Sequence, residues 1–316
     1  MSIAMVCASH SPMLLDEPLG GADACEAVIA SFRDMADFVD DFDPDVIIQF
    51  SPDHFHGFHY NMMPSFCVGT AARSYGDYTT QAGDLVVDET LALELLDAVR
   101  HAEIDLAVSF DMIVDHGFVQ IWETMWGDFT RYPIIPIFIN CVADPIPTYN
   151  RVIKLGQAVG AFAAKSGKRV LVAASGGLSH DPIMPKIVGA EPDLRARLVG
   201  SKPLTLEQQA EREKNIRRAS EQLKDGEGPC LPLNPDWDRK VMAMLANADW
   251  DGFKSFKTEE IDQIAGKGAN ETMCWVAATA ALSMSGAYDV VQSDYREIPG
   301  WIAGFGHFTA QTTSAK

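Results

Sequence analysis

The sequence predicts an α/β fold: a central, mostly parallel or mixed sheet flanked by helices, in a single large domain. Three observations predict it. Strand-length apolar runs alternate with stretches of three-to-four-residue periodicity. The runs end in loops rich in Ser, Pro, Gly and Asp. And 316 residues, 47% hydrophobic and 22% charged, support one substantial core with no sign of disorder or low complexity.

The elements follow in order. Ile3–Ala8 is an apolar, strand-length run closed by Ser9-His10-Ser11-Pro12. Across residues 23–42, Ala24, Val28, Phe32, Met35, Phe38, Val39 and Phe42 recur at helical spacing. Pro44 ends that helix, and residues 45–50 form a second buried strand leading into Ser51-Pro52-Asp53-His54. Residues 89–102 read as a helix, 106–109 as a short strand, Ile134–Ile139 as a strand, 155–164 as a helix and 170–174 as a strand. Residues 204–223 turn to Glu, Gln, Arg and Lys, the pattern of a solvated helix. The span 200–232 is therefore a helical excursion from a domain that occupies 1–316. Residues 226–235 form a turn-rich link, and 270–285 a small-residue helix with Glu271 in its first turn.

Composition excludes several function classes. With 25 Lys and Arg against 44 Asp and Glu, the formal charge is −19. Such a field repels nucleic acid and anionic membrane surfaces, so neither is expected as a partner. An anionic substrate would need a local cation. The six cysteines, at 7, 25, 67, 141, 230 and 274, form no CxxC clip, which argues against a structural zinc site or a disulfide framework. Together with the lack of a leader-like start and of any 18-residue apolar run, this predicts a cytoplasmic protein without a membrane span.

The chemistry gathers at strand ends, where open α/β sheets place their ligands. Of eight histidines, His10, His54, His56, His116 and His180 lie in such loops. Three strands can thus deliver imidazoles to one crevice, in Val6-Cys7-Ala8-Ser9-His10, Gln49-Phe50-Ser51-Pro52-Asp53-His54 and Ala174-Ser175-Gly176-Gly177-Leu178-Ser179-His180. Two histidines and a carboxylate on one face of an octahedral Fe(II) leave positions open for substrate and oxygen. His10 and His54 suit that role, but the residues alone do not choose the acid. HExxH is absent, and the pair in His56-Gly57-Phe58-His59, between Pro52 and Pro64, reads as loop or strand. Ser175 lacks the GxSxG arrangement, and no GxGxxG or P-loop occurs.

Ser9-His10-Ser11-Pro12, Ser51-Pro52-Asp53-His54, Val114-Asp115-His116-Gly117, Ser175-Gly176-Gly177-Leu178-Ser179-His180 and Trp301-Ile302-Ala303-Gly304-Phe305-Gly306 occur in that order. In that ordered set the chain resembles the class III extradiol ring-cleavage dioxygenases, the superfamily of the protocatechuate 4,5-dioxygenase β subunit. The likeness covers nearly the whole chain, including Pro136-Ile137-Phe138-Ile139-Asn140, Leu233-Asn234-Pro235, Ala265-Gly266-Lys267 and Trp275-Val276-Ala277-Ala278.

The resemblance implies Fe(II) held by His10, His54 and Glu271, a catecholic substrate and O2 as reactants, and a homo-oligomer. It implies His180 as the base that takes a catechol proton and His116 as the acid used when the oxygenated intermediate breaks down. Imidazole suits both roles, with an unperturbed pKa of about 6.5. The substrate would be a 3-substituted catechol such as 2,3-dihydroxyphenylpropionate or 2,3-dihydroxycinnamate, opened outside its two hydroxylated carbons in aromatic catabolism. Lys267 and Arg73 are the candidate cations for its carboxylate. His56 and His59 stand where the family has Asn and Phe, beside the metal loop, and bear on substrate choice.

Each residue also has a plainer role. Glu271 can serve a helix dipole, and Asp53 and Asp115 can cap loops as well as orient imidazoles. His101 and His307 read as surface or packing residues, and the aromatic stretch 122–129 fits an interface or the core. Two other readings remain on the same scaffold: a divalent-metal hydrolase, and a non-enzymatic binding or redox member of the superfamily.

Overall fold

Alternation along the first strand sets the layers. In the computed structural model, which describes residues 3–200 and 204–313, Ile3, Met5 and Cys7 join one apolar core, while Ala4, Val6 and Ala8 join another on the opposite face. A strand buried on both faces belongs in the middle of a sheet covered by helices on each side.

In chain order the first half runs β1 (Ile3–Ala8), α1 (Glu17–Gly20), α2 (Ala22–Phe42), β2 (Val46–Ser51), β3 (Phe66–Gly69), β4 (Ala72–Ser74), β5 (Gly83–Asp84), α3 (Glu89–His101), β6 (Ala107–Ser109), β7 (Met112–Val114), α4 (His116–Trp126) and β8 (Ile134–Ile139). The second half runs α5 (Tyr149–Ala163), β9 (Val170–Ser175), α6 (Pro192–Leu198), α7 (Leu206–Lys224), α8 (Pro235–Ala246), α9 (Trp250–Lys254), α10 (Thr258–Ile264), α11 (Thr272–Ser283), β10 (Tyr288–Ile298) and β11 (Ala303–Thr312).

The main sheet has the order β10-β11-β1-β9-β2-β8-β3-β6. β1, β9, β2 and β8 are mutually parallel neighbours, so their carboxyl ends emerge on one edge. The sheet is mixed because β3 meets β8, and β11 meets β1, in antiparallel sense. A second, three-stranded sheet, β5-β4-β7, leads into α4. One domain results, with an open sheet.

α2 and α4 cover one face, and α3, α5, α8 and α11 the other. α5 and α11 approach closely because Gly156 and Gly160 face the backbone of Ala277 and Ala281, where a Cβ would stand 2.2 Å from each carbonyl oxygen.

The expected elements are present, with differences that have local causes. α5 begins at Tyr149, earlier than its periodicity suggests, because Thr148 caps it by accepting from the Arg151 N–H. The small-residue helix begins as a 3-10 turn over Lys267–Glu271, so Glu271 precedes α11 and its side chain makes no capping bond. The Trp122–Phe129 region belongs to the core: Trp122 and Phe129 are buried, and Trp126 stacks on Trp122.

The excursion is the helix α7, opened by a capping box of Thr205 and Gln208. Ala219 and Leu223 pack with Cys230 on Ile302, and Ser220 Oγ donates to the Gly300 carbonyl. Of the span 1–316, residues 1, 2, 201–203 and 314–316 lie outside the described residues. All six cysteines are buried and free. Among the described residues no helix is long and apolar enough to cross a membrane.

Candidate metal centre and active site

The carboxyl ends of β1, β2 and β9 open into the loops that carry His10, His54 and His180. Ser9 holds the first loop to the last strand: its N–H donates to the Gly306 carbonyl at 2.9 Å, and its hydroxyl bridges Gly304 O and Gly306 N. Asp53 holds the second, accepting from the N–H groups of His56, Gly57 and Phe58 at 2.9–3.2 Å. Burial, and then the neighbouring Asp115 charge, push the Asp53 carboxyl up to about 6. The third loop is clamped by Asp238, which accepts from Ser179 N at 2.7 Å, Ser179 Oγ at 2.6 Å and Tyr295 Oη at 2.7 Å.

Four imidazoles are anchored through Nδ1. His10 meets Ser175 Oγ at 2.9 Å, His54 meets Asp115 Oδ2 at 3.0 Å, His116 meets Asp77 Oδ2 at 2.6 Å and His180 meets the Leu178 carbonyl at 2.9 Å. An Nδ1–H donated to such an acceptor leaves the Nε2 lone pair free, the arrangement that metal-binding and proton-transferring histidines share.

The free nitrogens converge on one carboxylate. His10 Nε2 lies 3.5 Å from Glu271 Oε2, and His54 Nε2 and His180 Nε2 each lie 3.4 Å from Glu271 Oε1. Glu271 is fully buried and its Oε2 accepts from Gly177 N at 2.8 Å. Burial works to raise its carboxyl, but the charges and contacts of His180, His54 and His10 hold it well below the usual carboxylate range. Burial drives His10 down to about 3, which keeps that imidazole neutral.

These donors fit a divalent cation. Buried Glu271 Oε1 and His116 Nε2 have no hydrogen-bond partner, and buried polar atoms are rarely left so. Bonds of 2.0–2.2 Å at octahedral angles separate neighbouring donors by about 3 Å, close to the 3.4–3.5 Å that parts Glu271 from His10 and His54. Ligand atoms of His10, His54 and His116 also lie within 4.8 Å of one another, so His116 borders the same space. Its ring stacks on His54 at 4.6 Å and meets His10 edge-on at 5.2 Å.

His180 occupies a slot between two glycines. A Cβ on Gly177 or on Gly268 would fall 2.3 or 2.1 Å from its ring, so any larger residue would displace the imidazole. Burial, the largest single influence, opposes its proton, but the charge and hydrogen bond of Glu271 together with the bond to the Leu178 carbonyl outweigh it and raise its pKa.

The structure thus brings together His10, His54, His116, His180 and Glu271. It also resolves the two aspartates: Asp53 caps a loop, whereas Asp115 caps α4 through Gly117 N at 2.9 Å and orients His54. Burial tends to raise the Asp115 carboxyl, but His54 and its hydrogen bond, with His56 and His116, hold it well below the usual range.

His56 reaches inward, with Nδ1 3.3 Å from Asp115 and Nε2 3.9 Å from Asp77. His59 packs by Gly200. Neither candidate cation is free: Lys267 Nζ is 2.6 Å from Asp144, and Arg73 Nε is 3.1 Å from Asp111 on the exposed surface.

Sequence reasoning missed Asp77, which lies in an unpatterned loop 39 residues from His116. It also missed Tyr78, whose ring meets His116 edge-on at 4.9 Å, and Arg212, whose Nη2 donates to the His54 carbonyl at 3.3 Å from a helix that reads as solvated.

Relatives share this chain throughout. A protein of Mycolicibacterium vanbaalenii named 2,3-dihydroxyphenylpropionate/2,3-dihydroxicinnamic acid 1,2-dioxygenase is 45% identical over 99% of this chain and 98% of its own. Proteins of the same function name from Dechloromonas aromatica and a Rhodococcus species are 42% and 43% identical, each over 98% of this chain and 99% and 98% of their own. The crystal structure of an uncharacterized protein from Escherichia coli K12 shares the fold, with a TM-score of 0.50 and 14% identity over 98% of this chain and 99% of that one. Residues 4–306 match the family described as the catalytic LigB subunit of aromatic ring-opening dioxygenase. With relatives 40–45% identical over almost all its length, the chain belongs to the LigB family of ring-opening dioxygenases.

Proposed function

We propose that this protein is an Fe(II)-dependent extradiol dioxygenase that opens a 3-substituted catechol with O2, of the 2,3-dihydroxyphenylpropionate or 2,3-dihydroxycinnamate kind for which its relatives are named. The observation that carries this reading is the convergence of His10, His54 and His180 on buried Glu271, with His116 Nε2 beside them. His10, His54 and Glu271 are the ligands, and two neutral nitrogens with one carboxylate suit non-haem Fe(II). When bound, the iron lets ring electrons reach oxygen without a separate redox cofactor.

The side chains do the remaining work. His180, held by Leu178 O, presents Nε2 to take a catechol hydroxyl proton. Asp238 fixes the height of that imidazole through Ser179. His116 presents Nε2 to return a proton as the ring opens, with its Nδ1–H directed by Asp77. Burial of His116 and Glu271 keeps bulk water from these atoms. The same reading carries a homo-oligomer working in the cytoplasm, which sedimentation and cell fractionation test.

The decisive experiment is anaerobic reconstitution with Fe(II), followed by 2,3-dihydroxyphenylpropionate in air with oxygen uptake and the yellow ring-fission product monitored together. Stoichiometric uptake with colour is expected. Bound iron with no uptake across a panel of catechols would overturn the reading and bring forward metal-dependent hydrolysis.

A further inference from the structure

The acidic charge of this chain sets a problem for the substrate just proposed, and this inference rests on that reading. A carboxylated catechol approaching a molecule of formal charge −19 is repelled unless a cation stands within about a Debye length, ~8 Å, of its binding position. Lys267 and Arg73 are committed to Asp144 and Asp111.

On α7, Arg217 is likewise committed to Asp16, Arg218 bonds Asn215 and Lys224 bonds the Pro18 carbonyl. Arg212 differs. It is half-buried, its Nη2 lies 3.3 Å from the backbone oxygen of His54, and among the described residues no carboxylate pairs with it.

We infer that Arg212 is the specificity residue that receives the substrate's side-chain carboxylate. The guanidinium rests on the carbonyl of the residue whose imidazole is the proposed ligand, so it stands one residue's reach from the iron position. On the same side is Tyr78, which feels the Arg212 charge and whose ring touches that of His116. The cation therefore stands beside the loop that carries the proposed ligand His54.

A guanidinium carries several N–H donors in a planar fork matched to a carboxylate, and one bond to His54 O leaves most of them unused. The helix that carries it is pinned to residues 299–302 by Ser220 and the Ala219–Leu223 contact. An arginine on this fixed rod holds its position better than one on a loop. The polar excursion in the sequence thereby gains a role: it brings over the metal loop an arginine that pairs with no carboxylate among the described residues.

The test compares two catechols that differ only in charge, 2,3-dihydroxyphenylpropionate and 3-propylcatechol, on the iron-loaded wild-type, Arg212→Met and Arg212→Lys enzymes. In Arg212→Met the ratio of kcat/KM for the acid to kcat/KM for the neutral catechol is expected to fall by about 10- to 100-fold, mostly through KM. Arg212→Lys is expected to recover part of that ratio.

An unchanged ratio, or equal losses on both substrates, would overturn the assignment. Anaerobic equilibrium binding of the two catechols separates this from the catalytic reading. If the wild type cleaves neither, that reading fails, while a preference for the acid that vanishes in Arg212→Met still supports Arg212. If the wild type cleaves both and the preference is untouched by the substitution, Arg212 alone is wrong.

Discussion

Asp77 grips His116 at two points: its Oδ2 lies 2.6 Å from the ring Nδ1, and its Oδ1 accepts from the backbone N–H of the same residue at 2.8 Å. One carboxylate thus fixes both the position of the residue and the tautomer of its ring. Charges on His116 and His56 and the His116 hydrogen bond outweigh burial and lower the Asp77 pKa, so it remains an acceptor.

Asp77→Asn turns an amide NH2 toward one of these two donors. Bound iron is expected to stay at the wild-type level and KM to change little, while kcat falls by about 10- to 100-fold, part of the usual worth of a positioned acid. Steady-state kinetics with metal analysis of the same samples checks this, and a wild-type kcat would refute it.

The ligand assignment predicts a partition among variants. His10→Ala, His54→Ala and Glu271→Ala should lose iron and activity together, whereas His116→Ala and His180→Ala should keep iron and lose turnover. Asp115→Asn, which weakens the bond at 3.0 Å that aims His54, should bind iron about 10- to 100-fold more weakly. Iron retained after desalting decides it; equal content in the wild type and the three ligand variants would sink the assignment.

Stability should depend on His307. Its ring is buried against Phe32 at 4.6 Å, Nε2 has no partner, and burial lowers its pKa from 6.5 to about 3. Between those values the unfolded chain binds a proton that the folded chain refuses, so this contribution is complete above pH 6.5 and is lost progressively as pH falls toward 3.

His307→Leu removes this contribution. From pH 6.5 to 4.5 the wild type should lose about 2–3 kcal/mol more than the variant, at ~1.4 kcal/mol per unit. Parallel denaturant titrations measure it, and identical pH slopes would exclude the effect.

The glycines of α5 give a stability prediction. At Gly156 and Gly160 an added Cβ meets the carbonyl oxygens of Ala277 and Ala281 at 2.2 Å, and rigid helix backbone cannot yield locally. Gly156→Ala and Gly160→Ala should each cost about 1–3 kcal/mol, seen as a lower urea midpoint with the same m-value. An unchanged midpoint would show that the helices separate freely.

The parts legible in sequence were those with a local signature. β1, β2, β8 and β9 carry continuous apolar runs, and the loops after β1, β2 and β9 carry their histidines in readable Ser-Pro or Gly-Gly contexts. Glu271 came from the family likeness, because nothing local distinguishes it from an acid at a helix start.

β11 was hidden by its composition: Gly304, Gly306 and His307 do not resemble a strand, and only pairing with β10 on one side and β1 on the other makes it one. Asp77 and Arg212 owe their roles to distance in sequence, since each acts on a histidine that the chain brings to it by folding.

The pairing of β11 with β1 also orders events during synthesis. His10 leaves the ribosome early, but Gly304 and Gly306, which tie down its loop, are added 294 and 296 residues after it, roughly 15–60 s later at 5–20 residues per second. The nascent chain therefore carries the two imidazoles proposed as metal ligands long before Glu271 and the closing strand exist. A competing ion in that interval meets histidines without Glu271 beside them, and the proposed set of donors is complete only when translation is nearly done.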